Sequence, residues 1–304
     1  MPPVPFLTIF SAPKPFTNPH IALIQRNAIQ SWLGLGAQVE VLLVGEEEGL
    51  AQAAQELGVC HLPEVTRNEP GTPLVSSIFA LAREHSQSPL MMYTNADMLF
   101  LPDLLTAAEQ VWAQVERFLI VGRRWDLDIS QALDFSTAWA PRLHEMVRKA
   151  GSLHQPAGSD YFVFPRECFT EIPAFAIGRA GWDNWMIYHA RQQSWSTVDA
   201  TSSITAIHQN HDYSHLPGNT PHYNLQESEH NIRLAGGIKN LYLTLDSDKE
   251  LVNGQLRSPR PGLMRLARKA ELQLYPHKGK GSVLRKFLIR RLRRLRRAIY
   301  QGSE

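Results

Sequence analysis

The stretch MMYTNADMLF, residues 91–100, is an apolar run broken by one polar cluster, Thr94-Asn95-Ala96-Asp97. With Leu90 in front, residues 90–94 read as a strand covered on both faces, because a short apolar run bounded by polar residues suits that setting. A carboxylate at the end of such a strand is costly unless something positive meets it. The partner of Asp97 is therefore a Lys or Arg, or a metal ion.

The segments on either side alternate between two periods. FLTIF (6–10) is a short apolar run ended by Ser11-Ala12-Pro13 and reads as a strand. Residues 20–33 carry Ile21, Ile24, Ala28 and Trp32 at helical spacing behind Asn18-Pro19. VEVLLV (39–44) is a further strand, followed by an acidic helix expected over 46–57. Residues 72–85 give a third helix. Strand and helix in this order predict an α/β fold, a doubly wound and mostly parallel sheet flanked by helices. Ligands sit at the carboxyl ends of the strands in such sheets, where Thr94, Asn95 and Asp97 fall.

Downstream the alternation loosens. Helices are expected over 104–115, 142–149 and 184–192, and strands over 118–121 and 160–164. SITAIH (203–208) reads as the last core strand, 209–237 as a long functional loop, and 241–256 as a hairpin turning at Asp246-Ser247-Asp248.

Composition sets the bounds. The chain has 304 residues, 43% hydrophobic and 20% charged, enough for a sizeable core. It has no apolar stretch of membrane-spanning length, and its opening lacks a basic leader followed by a long apolar core, so a cytoplasmic location is expected. Cys60 and Cys168 form no close-spaced redox or metal motif and suit a reducing compartment. The net charge of +2 hides an asymmetry. From Lys278 onward ten Lys or Arg face one acid, about +9, so the preceding 277 residues hold about −7.

Four groups can carry chemistry. Asp97 can hold a divalent ion against a diphosphate, since hard oxygen ligands suit Mg²⁺ or Mn²⁺. It can equally cap the helix after Pro102 or pair with Arg123 or Arg124. Asp183, beside Trp182 and Trp185 in GWDNW, can have a raised pKa and act as a general base, or serve as a helix N-cap. IHQNHDYSH puts His208 at a strand end, with His211 and His215 behind it. Imidazole is a good Mn²⁺ ligand, and loop histidines are also commonly satisfied by backbone. Asn68 and Gly71 precede the third helix, whose N-terminus can face a phosphate, or they form an ordinary turn.

In order and spacing, TIFSAP, VEVLLVGEEE, MMYTNADMLF, GSDYFVFPRECFTEIPAFAIGRAGWDNWMIYHAR and ITAIH resemble the GT-A fold nucleotide-diphospho-sugar glycosyltransferases, most nearly the family 2-like group. The resemblance spans about residues 4–216. It implies that Asp97 ligates Mn²⁺ or Mg²⁺ across the two phosphates of the donor, with His208 completing the metal shell. It implies donor contacts at Ser11, Glu46, Asn68, Thr94 and Asn95, with Asn95 standing where many members have the first Asp of DxD. Asp183 matches the catalytic carboxylate, although Asn184 stands where a second acid is usual, and Asp160 is the alternative base or acceptor holder. The implied reaction is transfer of a sugar to a hydroxyl acceptor in envelope glycan or glycolipid synthesis, with inversion. Residues 1–265 would form the glycosyltransferase domain, divided near 103 into nucleotide and acceptor halves, and 266–304 a basic amphipathic tail.

In that tail, residues 283–300 put Leu284, Leu288, Leu292, Leu295 and Ile299 on one helical stripe among arginines. The pattern suits an anionic membrane surface at the inner face of the membrane. Nucleic acid fits less well, because Phe287 and Tyr300 are its only aromatics, and packing on the body is the remaining reading. Two other readings of the whole chain stay open. One is a non-catalytic scaffold of the same fold. The other is a sugar-phosphate nucleotidyltransferase, whose Gly-rich loop is missing from Ser11-Ala12-Pro13-Lys14-Pro15.

Overall fold

The computed structural model describes residues 4–211, 226–275 and 282–301. Its elements, in chain order, are β1 (Leu7–Ser11), α1 (Pro19–Leu33), β2 (Val39–Val44), α2 (Leu50–Leu57), β3 (Cys60–Leu62), α3 (Val75–His85), β4 (Leu90–Thr94), β5 (Met98–Phe100), α4 (Asp103–Trp112), β6 (Phe118–Val121) and β7 (Trp125–Leu127). There follow α5 (Trp139–Ala150), β8 (Ser152–Leu153), β9 (Tyr161–Pro165), α6 (Trp182–Gln192), β10 (Ser196–Asp199), β11 (Ala206–Gln209), α7 (Gln226–Leu234), β12 (Lys249–Val252), β13 (Gln255–Arg257), α8 (Leu263–Leu274) and α9 (Val283–Gln301).

The doubly wound sheet is present. Nine strands run in the order β13-β12-β10-β6-β9-β4-β1-β2-β3. All neighbours are parallel except those of β9, which runs antiparallel between β4 and β6, and the β12–β13 hairpin. Both faces are covered. Leu90 and Met92 of β4 enter the core that includes Trp32 of α1, while Met91 and Tyr93 enter the one that includes Phe79 of α3. That double burial is why the central strands read as continuous apolar runs rather than alternating ones. Thr94 pairs with Tyr161, so Asp160 sits beside Asn95 at the carboxyl edge of the parallel strands.

A second sheet, β5-β11-β7-β8, lies outside this frame. The segment 203–208 is therefore not a core strand of the main sheet. Its strand, β11, pairs antiparallel with β5 and parallel with β7, setting His208 opposite both Met98 and Asp126. β10 takes the main-sheet place.

Other boundaries move for local reasons. α2 begins at Leu50 rather than residue 46, because Gly45 and Gly49 turn the chain through left-handed φ of 125° and 80°. α3 begins at Val75, whose N–H donates to the Phe175 carbonyl. Its first N–H is thus taken by protein, and Asn68 and Gly71 lie seven and four residues ahead of it. The hairpin turns at Asn253-Gly254, both at positive φ, the favoured two-residue turn. Asp246 instead binds Arg268. Residues 226–234 of the expected loop are α7; residues 212–225, with His215, lie outside the described residues.

Candidate active site and metal centre

A cleft of about 490 Å³ opens at the carboxyl edge of the main sheet, where the second sheet meets it. Asp97 lies on its floor, between β4 and β5. The backbone carbonyl of Asp97 accepts from the Gln209 backbone N–H at 3.1 Å and from Gln209 Nε2 at 3.2 Å. Asp97 Oδ2 lies 3.1 Å from His211 Nε2, 3.9 Å from His208 Nε2 and 4.0 Å from Lys14 Nζ. Asp97 Oδ1 is buried with no hydrogen-bond partner among the described residues. Burial alone would push this carboxyl up. The hydrogen bond from His211 and the positive charges of His208 and Lys14 outweigh it, and the group lies below the ordinary carboxylate range.

One ligand atom each from Asp97, His208 and His211 falls within 4.8 Å of the others. A carboxylate with one unpartnered oxygen, beside two imidazoles, fits a divalent ion, and the imidazoles favour Mn²⁺ over Mg²⁺. The α4 N-cap is Pro102, so Asp97 is not a helix cap. Lys14 is the nearby cation, held by a clamp from α1: its N–H donates to Gln25 Oε1 at 2.7 Å and its carbonyl accepts from Gln25 Nε2 at 2.9 Å.

Behind His208 stands Asp126, on β7. Its Oδ1 lies 3.3 Å from His208 Nδ1, its Oδ2 lies 2.7 Å from His154 Nδ1, and Arg124 Nε donates to it at 2.9 Å. His208 Nδ1 makes no hydrogen bond among the described residues, so Asp126 acts on the ring by charge from 3.3 Å; were His208 to ligate an ion, this carboxylate would stand where it can orient the ring. Asp126→Asn is therefore expected to weaken Mn²⁺ binding about 10–100-fold with the fold retained, measured by titration of the metal alone. Unchanged affinity would make Asp126 a partner of Arg124 and His154 alone.

Asp160 and Asp183 also face the cleft. Asp160 is engaged on both oxygens, by Asn95 Nδ2 at 2.9 Å and Arg124 Nη1 at 2.7 Å. Arg124 therefore pairs with Asp160 and Asp126 rather than Asp97. Asp183 lies in the first turn of α6, not at its N-cap, which is Gly181. Its Oδ1 accepts a long bond from the Gly181 N–H, 3.3 Å, and the Asn184 N–H also acts on the carboxyl. Burial pushes its carboxyl up to about 6, the backbone N–H groups offsetting part of the effect. A Cβ on Gly158 would come within 2.4 Å of Asp183 Oδ2, so the opposite loop leaves room for the carboxylate only as glycine. Trp182 lines the cleft and meets Tyr93 edge to face at 5.1 Å, while Trp185 turns away to stack on His189 at 4.6 Å.

Four residues expected along the donor lie off the cleft wall. Ser11 is fully buried and donates to the Thr94 carbonyl at 2.7 Å. Thr94 is fully buried too, its hydroxyl against the Asp160 carbonyl at 3.2 Å. Glu46 is exposed and bound to Arg67, leaving neighbouring Glu47 to face the cleft. Asn68 accepts from the Thr72 N–H and donates to Glu227 of α7. Lys14, Glu47, Arg67, Arg179 and His211 face the cleft instead. A larger cavity, about 790 Å³ between α3 and α6, has Arg83 and Arg166 bound to backbone carbonyls at the end of α3 and beyond, a structural arrangement.

No protein-family model matches the chain, and no curated protein matches it in sequence. Solved structures similar to it include glucosyl-3-phosphoglycerate synthase from Mycobacterium tuberculosis, in complex with Mn²⁺, UDP and phosphoglyceric acid. It has 15% identity over 76% of this chain and 77% of that one, with a TM-score of 0.47. A second is the mannosyltransferase PcManGT from Pyrobaculum calidifontis, in complex with GDP-Man and Mn²⁺. It has 13% identity over 99% of this chain and 76% of that one, with a TM-score of 0.45. Both likenesses are loose, and neither bears on the residues of the cleft.

Proposed function

We propose that the chain is a metal-dependent glycosyltransferase, which takes a nucleoside-diphosphate sugar and transfers the sugar to an acceptor hydroxyl with inversion. The observation that carries this reading is the pairing, in one cleft, of the Asp97–His208–His211 donor set with a separate enclosed carboxyl, Asp183, whose pKa is raised to about 6.

Asp97, His208 and His211 would hold Mn²⁺ or Mg²⁺, with the Lys14 cation beside them, and a bound ion would supply positive charge to offset the charge developing on the leaving diphosphate. Asp183 accepts the acceptor proton as the acceptor oxygen bonds to the anomeric carbon and the bond to the diphosphate breaks. A single displacement of that kind inverts the centre. Asp160, engaged by Arg124 and Asn95, positions the floor between donor and base rather than taking the proton. In this reading residues 1–103 contribute the donor side, and 104–265 the acceptor side together with the two histidines of the metal set.

Calorimetric titration of UDP, GDP and their sugar conjugates, with Mn²⁺ and with EDTA, tests it. Binding that requires the metal, followed by turnover of one donor, is the expected result. No binding at millimolar nucleotide in either condition would leave a scaffold with an unused cleft.

A further inference from the structure

The C-terminal helices form a fixed platform. Glu271 of α8 is fully buried. Its oxygens accept from Arg293 Nε at 2.8 Å and Arg296 Nη2 at 2.7 Å, both on α9. Arg268 of α8 lies 3.6 Å from the same carboxylate and binds Asp246 at 2.9 Å and the Leu241 carbonyl at 2.8 Å. At the far end Tyr300 donates to the Leu153 carbonyl, and the Arg123 guanidinium lies 5.2 Å from its ring centre. Separating a buried carboxylate from its guanidiniums leaves uncompensated charge, so α9 is held against the body.

This docking splits the apolar stripe that the sequence draws on the tail. Ile289 is buried, and Leu292 and Ile299 are half-buried. Leu284, Phe287 and Leu295 stay 66%, 51% and 50% exposed, with Leu288 between them, and Leu263 and Leu266 of α8 are exposed as well. Lys286, Arg290, Arg294 and Arg297 recur at helical spacing on an adjoining stripe. There is no acid in α9.

We propose that this exposed face binds an anionic bilayer, lying in its interface with the leucines in the acyl boundary and the cations among the lipid phosphates. The charge pattern selects that occupant. Two copies meeting through this face would set like-charged rows against each other. Apart from Val283 at the start of α9, the other exposed large apolar residues described, Val4, Leu33, Trp112, Leu234 and Ile238, come from four separate stretches of chain and offer no matching stripe. A nucleic acid would take the cations and leave the leucines in water. The proposal does not depend on the chemistry of the cleft.

The test is co-sedimentation of the full chain with vesicles of phosphatidylcholine alone and of an equal mixture with phosphatidylglycerol. Binding to the anionic vesicles only is expected. Arg290→Gln with Arg294→Gln should weaken it on the order of 30-fold, about fivefold per cation. Leu284→Ser with Leu295→Ser, both exposed and so compatible with the fold, should also weaken it at least tenfold. Equal binding to neutral vesicles, or no loss in the leucine variant, overturns the proposal. So does a dimer without vesicles that the leucine variant dissociates, or RNA binding that the leucine variant retains while vesicle binding is absent.

Discussion

Asp97→Asn is expected to remove metal-dependent nucleotide binding while the protein stays folded. The substitution keeps the side-chain shape and removes the charge. Asp97 is the only acid in the group, and hard divalent ions bind carboxylate oxygen far better than amide. A supporting residue behind a ligand costs about 10–100-fold in metal affinity, so loss of the ligand itself should exceed about 100-fold. The fold should survive because the main-chain bonds to Gln209 do not involve the carboxylate. Lys14, whose pKa burial lowers and Asp97 partly restores, keeps its main-chain clamp to Gln25. Mn²⁺ titration followed by nucleotide calorimetry reads the effect, with far-UV circular dichroism as the folding control. Mn²⁺ affinity within about threefold of the parent would place the ion elsewhere, with Asp97 serving as the partner of Lys14 and His211.

How much of this was legible from sequence depends on the length of each element. β1, β2, β4, β6 and β9 are apolar runs of four to six residues, and α1 has both its periodic face and its Asn18 cap, so all were readable. β5, β7 and β8 have two or three residues, too few for any period, and so the second sheet was invisible. That sheet aligns His208 with Asp126, which is why Asp97 and His208 could be proposed from strand ends but the carboxylate behind His208 could not. His211 belongs to a polar segment where most histidines are merely solvated, and only its 3.1 Å approach to Asp97 distinguishes it. Lys14 lies between two prolines, and its position is set by Gln25, eleven residues later on a helix. The hairpin was different: Asn253-Gly254 is a strong turn signal lying in plain view, outweighed wrongly by the aspartates before it. The tail's period was correct, but a period cannot say which leucines a buried Glu271 will turn inward.

Asp183→Asn is expected to slow turnover by about 10²–10⁴-fold with donor binding unchanged, the usual contribution of a positioned general base. The same change should stabilise the protein near neutral pH. In the folded chain burial raises this carboxyl from 3.8 to about 6. Between pH of about 4 and 6 the folded state therefore holds more protons than the unfolded one, and stability falls as pH rises through that window. Above it, the charge costs about 3 kcal/mol, which the neutral amide avoids. The activity of the parent should climb through the same pH range, as the base loses its proton, and that rising limb should vanish from the residual rate of the variant. A structural carboxylate would show the opposite pairing, lower stability with little change in rate. If Asp160→Asn rather than Asp183→Asn removed the limb, Asp160 would be the base and Asp183 its neighbour. The contacts argue against that exchange, because Asp160 already accepts from Arg124 and Asn95 while the bonds to Asp183 come from backbone N–H groups. On the proposed reading, a carboxyl held where its charge is costly is one whose stability has been given up for reactivity.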